Sequence, residues 1–203
     1  MKKFDSQFSR NDVTVVDEKV LYQGFYLMKE YQVRHQLFGG GESGNVTREV
    51  QHKSPAVCVL PYDPVRDEVV LIEQFRIGAL SADSPWMLEI VAGMVEEGES
   101  LEEVAQREVQ EESGLQVNQL IHLHKLWVTP GGSDEVLDIF CGLVDASDAG
   151  GVHGLPSENE DIRVHVFSRS EVLELLSGGG MLNAPIIIAL QWLEKHWHTL
   201  KDK

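Results

Sequence analysis

Apolar positions change rhythm twice along the chain. Between residues 13 and 50 the segment KVLYQGFYLMKEYQVRHQLF alternates loosely, is rich in aromatics and valine, breaks at Gly39-Gly40-Gly41 and resumes over residues 45–50. This predicts a small antiparallel sheet with a loose hairpin, which must pack against its own main domain or a partner chain because so few strands are marginal alone. From Pro55 onward the runs PAVCVLPY, EVVLIEQF and MLEIVAG read as buried strands. The period then becomes helical. Ser100 is placed to cap a helix from Leu101 to about Ser113, with Glu103 closing a capping box and Gly114 suited to the left-handed residue that ends it. Leu101, Val104, Ala105 and Val109 form its apolar stripe. Further strands are expected at residues 120–128, 136–144 and 162–167. In the last of these Ile162, Val164 and Val166 alternate with Arg163, His165 and Phe167. A short helix over residues 171–176, capped by Ser170 and stopped by Gly178-Gly179-Gly180, precedes a last helix that starts near Asn183 with Pro185 in its first turn and carries Ile186, Leu190, Leu193 and Trp197. The element order implies an α+β protein: a mixed sheet packed between helices, with a small N-terminal antiparallel sheet domain over residues 1–50 and the main domain over 51–203.

Composition narrows the partners. With 203 residues and 42% apolar content the chain can bury one sizeable core and carry an appendage. The formal charge of −16 argues against a nucleic-acid surface, which needs clustered Lys and Arg. An anionic small molecule fits such a field only if a metal inverts the local potential. Cys58 and Cys141 sit in apolar runs and read as free buried thiols. The start MKKFDSQFSRND lacks an apolar run, and no segment approaches membrane-spanning length, so the expectation is a cytoplasmic protein with no membrane partner. FGGGESG is followed by neither Lys-Ser nor Lys-Thr and reads as a turn.

The chemistry concentrates in GMVEEGESLEEVAQREVQEESGL, residues 93–115. On the predicted helix, Glu108 and Glu112 fall one turn apart with Glu111 beside them, and Arg107 reaches Glu111 at i+4. Glutamate-rich helices are usually just solvated faces. Here one arginine does not balance the cluster, so a hard divalent cation with oxygen ligands is the natural counter-charge. Glu111 reads equally as a salt-bridge partner or as a metal ligand. His122 and His124 share a strand face but lack a third ligand, which favours structural roles. Trp86 reads as core or dimer packing, with base stacking as the alternative.

The order Gly93, five residues, Glu99, seven residues, Arg107-Glu108-Val109, one residue, Glu111-Glu112, one residue, Gly114-Leu115 matches every fixed position of the Nudix box. The chain as a whole resembles the bacterial ADP-ribose pyrophosphatase group of that family. Pro130 stands sixteen residues after Gly114, a spacing typical of the group. The resemblance implies Mg²⁺, or Mn²⁺ or another divalent cation, on Glu108, Glu111, Glu112 and the Ala92 carbonyl. It implies a phosphate grip by Arg76 in EQFR, and a mobile acidic loop, Ser157-Glu158-Asn159-Glu160-Asp161, that supplies Glu158 as base with Glu160 beside the metals. Arg107 is read as orienting the glutamates. Phe25 and Arg48 are candidates for the adenine, and Ser133, Asp134 and Glu135 for the terminal ribose. Family members exchange the N-terminal domain, which implies a homodimer. The implied reaction is hydrolysis of ADP-ribose to AMP and ribose 5-phosphate. A pyrophosphatase for another nucleoside diphosphate sugar such as GDP-mannose is the alternative. A non-hydrolysing ADP-ribose sensor is disfavoured by the intact carboxylate set.

Overall fold

A computed structural model of the chain describes residues 4–178 and 182–201. Gly179 and Gly180, expected to stop the short helix, lie outside the described residues. Two compact units emerge, one of Met1–Ser54 with Trp127–Glu135, the other of Pro55–Leu126 with Val136–Lys203.

In the first unit β1 (Val13–Gln23), β2 (Leu27–His35) and β3 (Val46–His52) form an antiparallel meander. Gly40 and Gly41 sit at positive φ in the β2–β3 connection, a conformation that side chains with a Cβ rarely adopt. Val15, Val16, Val20, Leu21 and Tyr22 of β1 all stay substantially exposed, so three strands leave their apolar side chains without a core. The segment Trp127–Glu135 joins this unit through Gln51 N–H to the Gly132 carbonyl and Asp134 N–H to the Gln51 carbonyl, at 2.9 and 3.3 Å.

The second unit is an eight-stranded mixed sheet. Its strands are β4 (Ala56–Asp63), β5 (Glu68–Phe75), β6 (Trp86–Glu89), β7 (Val91–Met94), β8 (Gln119–Trp127), β9 (Val136–Leu143), β10 (Val152–His153) and β11 (Ile162–Ser168), in the order β10-β11-β5-β4-β9-β8, with β6 on β5 and β7 on β4. The β4–β9 pair is parallel and the β4–β5 pair antiparallel. The run MLEIVAG, expected as one strand, divides at Ile90: its first half pairs with β5 and its second with β4. Helix α1 (Leu101–Ser113) lays Val104, Ala105 and Val109 against Val57, Val59, Val70, Ile72, Val91, Phe140, Ile162 and Val164. Each fully buried valine or isoleucine among these contributes about 1.5–3 kcal/mol. Leu60 and Tyr62 alternate onto the other face of β4 and are also fully buried, and α3 (Ala184–His196) contacts β4 and β9 through a face carrying Ile186, Ala189, Leu190 and Leu193.

The local signals set most boundaries. Ser100 caps α1 in a reciprocal capping box with Glu103, and Gly114 ends it at φ 72°. Helix α2 (Arg169–Ser177) starts earlier than expected, because Ser168, not Ser170, has a glutamate three residues on to complete a capping box. Trp197 lies beyond α3 in a single 3₁₀ turn, its ring covered by the Arg169 guanidinium at 4.0 Å. Val166, expected on the buried face of β11, is 37% exposed. Cys58 and Cys141 are buried thiols, not a disulfide. Among the described residues no helix is long and apolar enough to cross a membrane.

Candidate active site

Helix α1 and β7 meet at close range. A Cβ on Gly93 would collide with the Glu108 carboxylate, so the box glycine is the space in which that carboxylate lies. One turn on, Glu112 is 2% exposed and accepts a hydrogen bond from the Ala92 N–H at 3.0 Å. Gln74 of β5 approaches its other oxygen at 3.5 Å.

The electrostatics follow from that burial. Burial pushes the Glu112 carboxyl up to about 8, against the Ala92 N–H, with the charges of Glu108 and Glu160 adding to the rise. Burial likewise raises Glu108 to about 7, where the Arg107 cation opposes it and Glu111 and Glu160 reinforce it. A cation placed beside such carboxylates would favour their charged forms by supplying what water no longer does.

Arg107 does more than reach Glu111. It donates to Glu108 at 2.7 Å, to Glu111 at 3.3 Å and through Nε and Nη2 to both oxygens of Glu99 at 3.2 and 3.3 Å. Burial alone would lower its pKa, yet these carboxylates raise it, so the guanidinium stays charged. Glu99 is legible in the sequence only as a fixed position of the box. Its role as a two-point anchor needs the turn that precedes α1.

The acidic loop is tied to α1 as well. The Gly154 N–H donates to the Glu111 carbonyl at 3.2 Å, and Glu160 accepts from the Leu155 N–H at 3.1 Å. That places the Glu160 charge within influence of Glu108 and Glu112. Glu158 ends a 3₁₀ turn, Pro156–Glu158, where it is exposed, and among the described residues none bonds its carboxylate. Arg76, just past β5, is close enough for its charge to act on Glu112, and its Nε donates to Glu89 at 2.7 Å.

The remaining candidates lie in the first unit. Phe25 is 83% exposed and touches Tyr26 edge-on, with ring centroids 4.9 Å apart. Arg48 donates to the Thr47 carbonyl at 2.7 Å. Ser133 is buried and its hydroxyl accepts from the Glu135 N–H at 3.2 Å, while the Glu135 carboxylate pairs with Lys53 at 3.0 Å. Asp134 bonds His52 at 2.7 Å, which in turn bonds the Tyr31 hydroxyl at 3.0 Å. In the second unit His122 bonds the buried Asp138 at 2.8 Å, a structural engagement.

An all-oxygen set of Glu108, Glu111, Glu112, Glu160 and the Ala92 carbonyl suits a hard divalent cation. Among the described residues no three His, Cys, Asp or Glu stand ready-arranged around a metal position. Arg107 donates to Glu108 and the Ala92 N–H to Glu112, so a cation at these carboxylates would have to share or displace those bonds.

A buried carboxylate beside a partly buried one, on a helix packed against a glycine strand, is an arrangement suited to holding a hard divalent cation. The chain belongs to the NUDIX domain family, whose profile matches residues 52–187, and it is a hydrolase of that family. It is 49% identical over 197 residues to the ADP-ribose pyrophosphatase of Escherichia coli (strain K12), covering 97% of this chain and 94% of that protein. It is 46% identical over 199 residues to the ADP-ribose pyrophosphatase of Haemophilus influenzae, covering 96% and 92%. The GDP-mannose pyrophosphatase of Cronobacter sakazakii is 29% identical over 191 residues, covering 90% of this chain and 95% of that protein. A crystal structure of an ADP compounds hydrolase superposes with a TM-score of 0.69 at 21% identity, covering 93% of this chain and 98% of that one, and shares the fold.

Proposed function

We propose that this hydrolase splits the diphosphate of ADP-ribose to AMP and ribose 5-phosphate, using Mg²⁺ or Mn²⁺. The observation that carries the reading is the pairing of buried Glu112 with partly buried Glu108 beside Glu160 and Arg76, in a chain whose relatives at 46–49% identity are named for this substrate. A bound divalent ion supplies positive charge on the diphosphate oxygens and lowers the pKa of coordinated water. Glu108, Glu111, Glu112, Glu160 and the Ala92 carbonyl would hold it. The chain's own residues do the rest. Arg107 keeps Glu99, Glu108 and Glu111 oriented, and Arg76 meets the substrate's negative charge. Glu158, left unbonded, takes the proton of the attacking water as one phosphorus–oxygen bond of the anhydride breaks. A carboxylate committed to metal is a poor proton acceptor, which is why the base is placed on the loop.

The N-terminal segment, residues 1–50, serves as a dimerisation domain exchanged between two copies, and its exposed apolar β1 face supports that assignment. Phe25 and Arg48 take the adenine, and Ser133, Asp134 and Glu135 the terminal ribose. The protein works in the cytoplasm on a small-molecule nucleotide sugar, with no nucleic-acid partner. The 29% identical GDP-mannose pyrophosphatase supports one competing reading, a different nucleoside diphosphate sugar. Phosphorus NMR of products from a panel of such sugars separates the two. Release of AMP and ribose 5-phosphate at the highest kcat/KM upholds the proposal, and preferential release of GMP from GDP-mannose overturns it.

A further inference from the structure

Glu89 is a buried carboxylate that the proposed reaction leaves unused. It is 6% exposed, yet both of its oxygens are engaged: Oε2 accepts from the Arg76 Nε–H at 2.7 Å and Oε1 from the Asn183 side-chain amide at 2.7 Å. Asn183 is itself held, because its Oδ1 caps α3 by accepting from the Ile186 N–H at 3.2 Å. The backbone of Arg76 is fixed too, through its N–H to the Pro85 carbonyl at 2.8 Å.

The register explains the geometry. Glu89 pairs with Ile72, and residues 72, 74 and 76 alternate onto one face, the face from which Gln74 reaches Glu112. Arg76 therefore lies on the side of Glu112, close enough for its charge to act on that carboxylate. A guanidinium presents two donor edges, one including Nε and one formed by the two terminal nitrogens. Glu89 engages the first. Among the described residues none accepts from the terminal nitrogens, the edge that matches a pair of phosphate oxygens.

We infer that Glu89, held by Asn183 at the start of α3, is a positioning residue that presents the terminal edge of Arg76 to the substrate diphosphate. The inference rests on the proposed phosphate role of Arg76 and links the C-terminal helix to substrate affinity, a connection absent from the box itself.

Two variants test it. In E89Q the amide offers one acceptor where two donors converge, so either Arg76 or Asn183 faces an N–H. KM for ADP-ribose and the Kd of inorganic pyrophosphate, measured by calorimetry with Mg²⁺ present, should both rise about 10- to 100-fold, with kcat changed by less than about threefold. N183S keeps an oxygen for the helix cap but loses the donor to Glu89. It should raise both constants about 3- to 10-fold while the melting temperature holds. In an R76A background E89Q should add nothing to either constant, whereas a merely structural Glu89 would act there equally. A pyrophosphate Kd that E89Q leaves within twofold, or an equal loss in R76A, overturns the positioning role. A wild type that binds pyrophosphate with this Glu89 dependence yet turns over no ADP-ribose sinks the substrate assignment and leaves the positioning role standing.

Discussion

Replacing Glu112 by Gln should make the metal-free protein more stable while disabling it. The carboxyl is 2% exposed and titrates near 8 in the fold against an ordinary 4.5. The folded state thus binds the proton more tightly than the unfolded chain. Its stabilising contribution is fully present below 4.5 and is lost as pH rises through 8. Relative to a side chain that never ionises, Glu112 lowers the stability of the metal-free fold by about 4 kcal/mol at pH 8 and by about 1 kcal/mol at pH 5, where only the unfolded chain ionises. Gln has nearly the same shape, can still accept from Ala92 N–H and never ionises. With about 2–4 °C of melting temperature per kcal/mol at this size, E112Q should melt about 8–16 °C above wild type at pH 8 in chelator, and only about 2–4 °C above it at pH 5. Comparing variant with wild type at each pH cancels the opposite contributions of Asp63, Asp67 and Asp134, whose pKa values are lowered. Added Mg²⁺ should narrow the gap at pH 8 from about 4 to about 1 kcal/mol, because a cation at about a hundredfold excess over its Kd stabilises wild type by about 2.7 kcal/mol and the amide holds it poorly. Differential scanning calorimetry with and without chelator reads all four conditions. The reasoning fails if E112Q melts below wild type at pH 8 in chelator, or if Mg²⁺ stabilises both proteins alike. Glu102, exposed on the outer face of α1, is the control: E102Q should stay within about 0.5 kcal/mol of wild type and keep its turnover.

E158Q should lower turnover by about 10²- to 10⁴-fold with KM nearly unchanged and partial rescue at high pH; an active E158Q beside an inactive E160Q would exchange their roles. G93A should abolish turnover, since a Cβ enters the space of the Glu108 carboxylate; steady-state kinetics showing near-normal kcat would mean the carboxylate has room to move. S100A removes the hydroxyl of the α1 capping box and should destabilise by about 1 kcal/mol, read from urea titration. Light scattering should give a dimer for the intact chain, and removal of residues 1–50 should raise KM sharply or prevent folding; a stable, fully active monomer would refute the exchanged domain.

Local chemistry makes much of this protein legible along the chain. Helix α1 is readable because its cap, apolar stripe and terminating glycine all lie within fifteen residues, and the box pattern marks the carboxylates in the same stretch. The start of α2 falls at Ser168 where Ser170 is expected, although the capping-box spacing to Glu171 is itself a local signal. Division of MLEIVAG between two partners is not local, because a continuous apolar run says nothing about which strand each half will meet. The same holds for the polar partners. Glu89 lies 94 residues from Asn183, and Gln74 lies 38 from Glu112. The segment Trp127–Glu135 likewise joins a unit whose other residues end at Ser54. Periodicity, capping and motif spacing are properties of neighbours along the chain, so sequence alone determined the helix, its carboxylate-bearing face and the reaction class. Burial is a property of what packs from afar, so only tertiary structure decided which carboxylates lose their water, which arginine each one holds, and hence where the charge that drives the chemistry is stored.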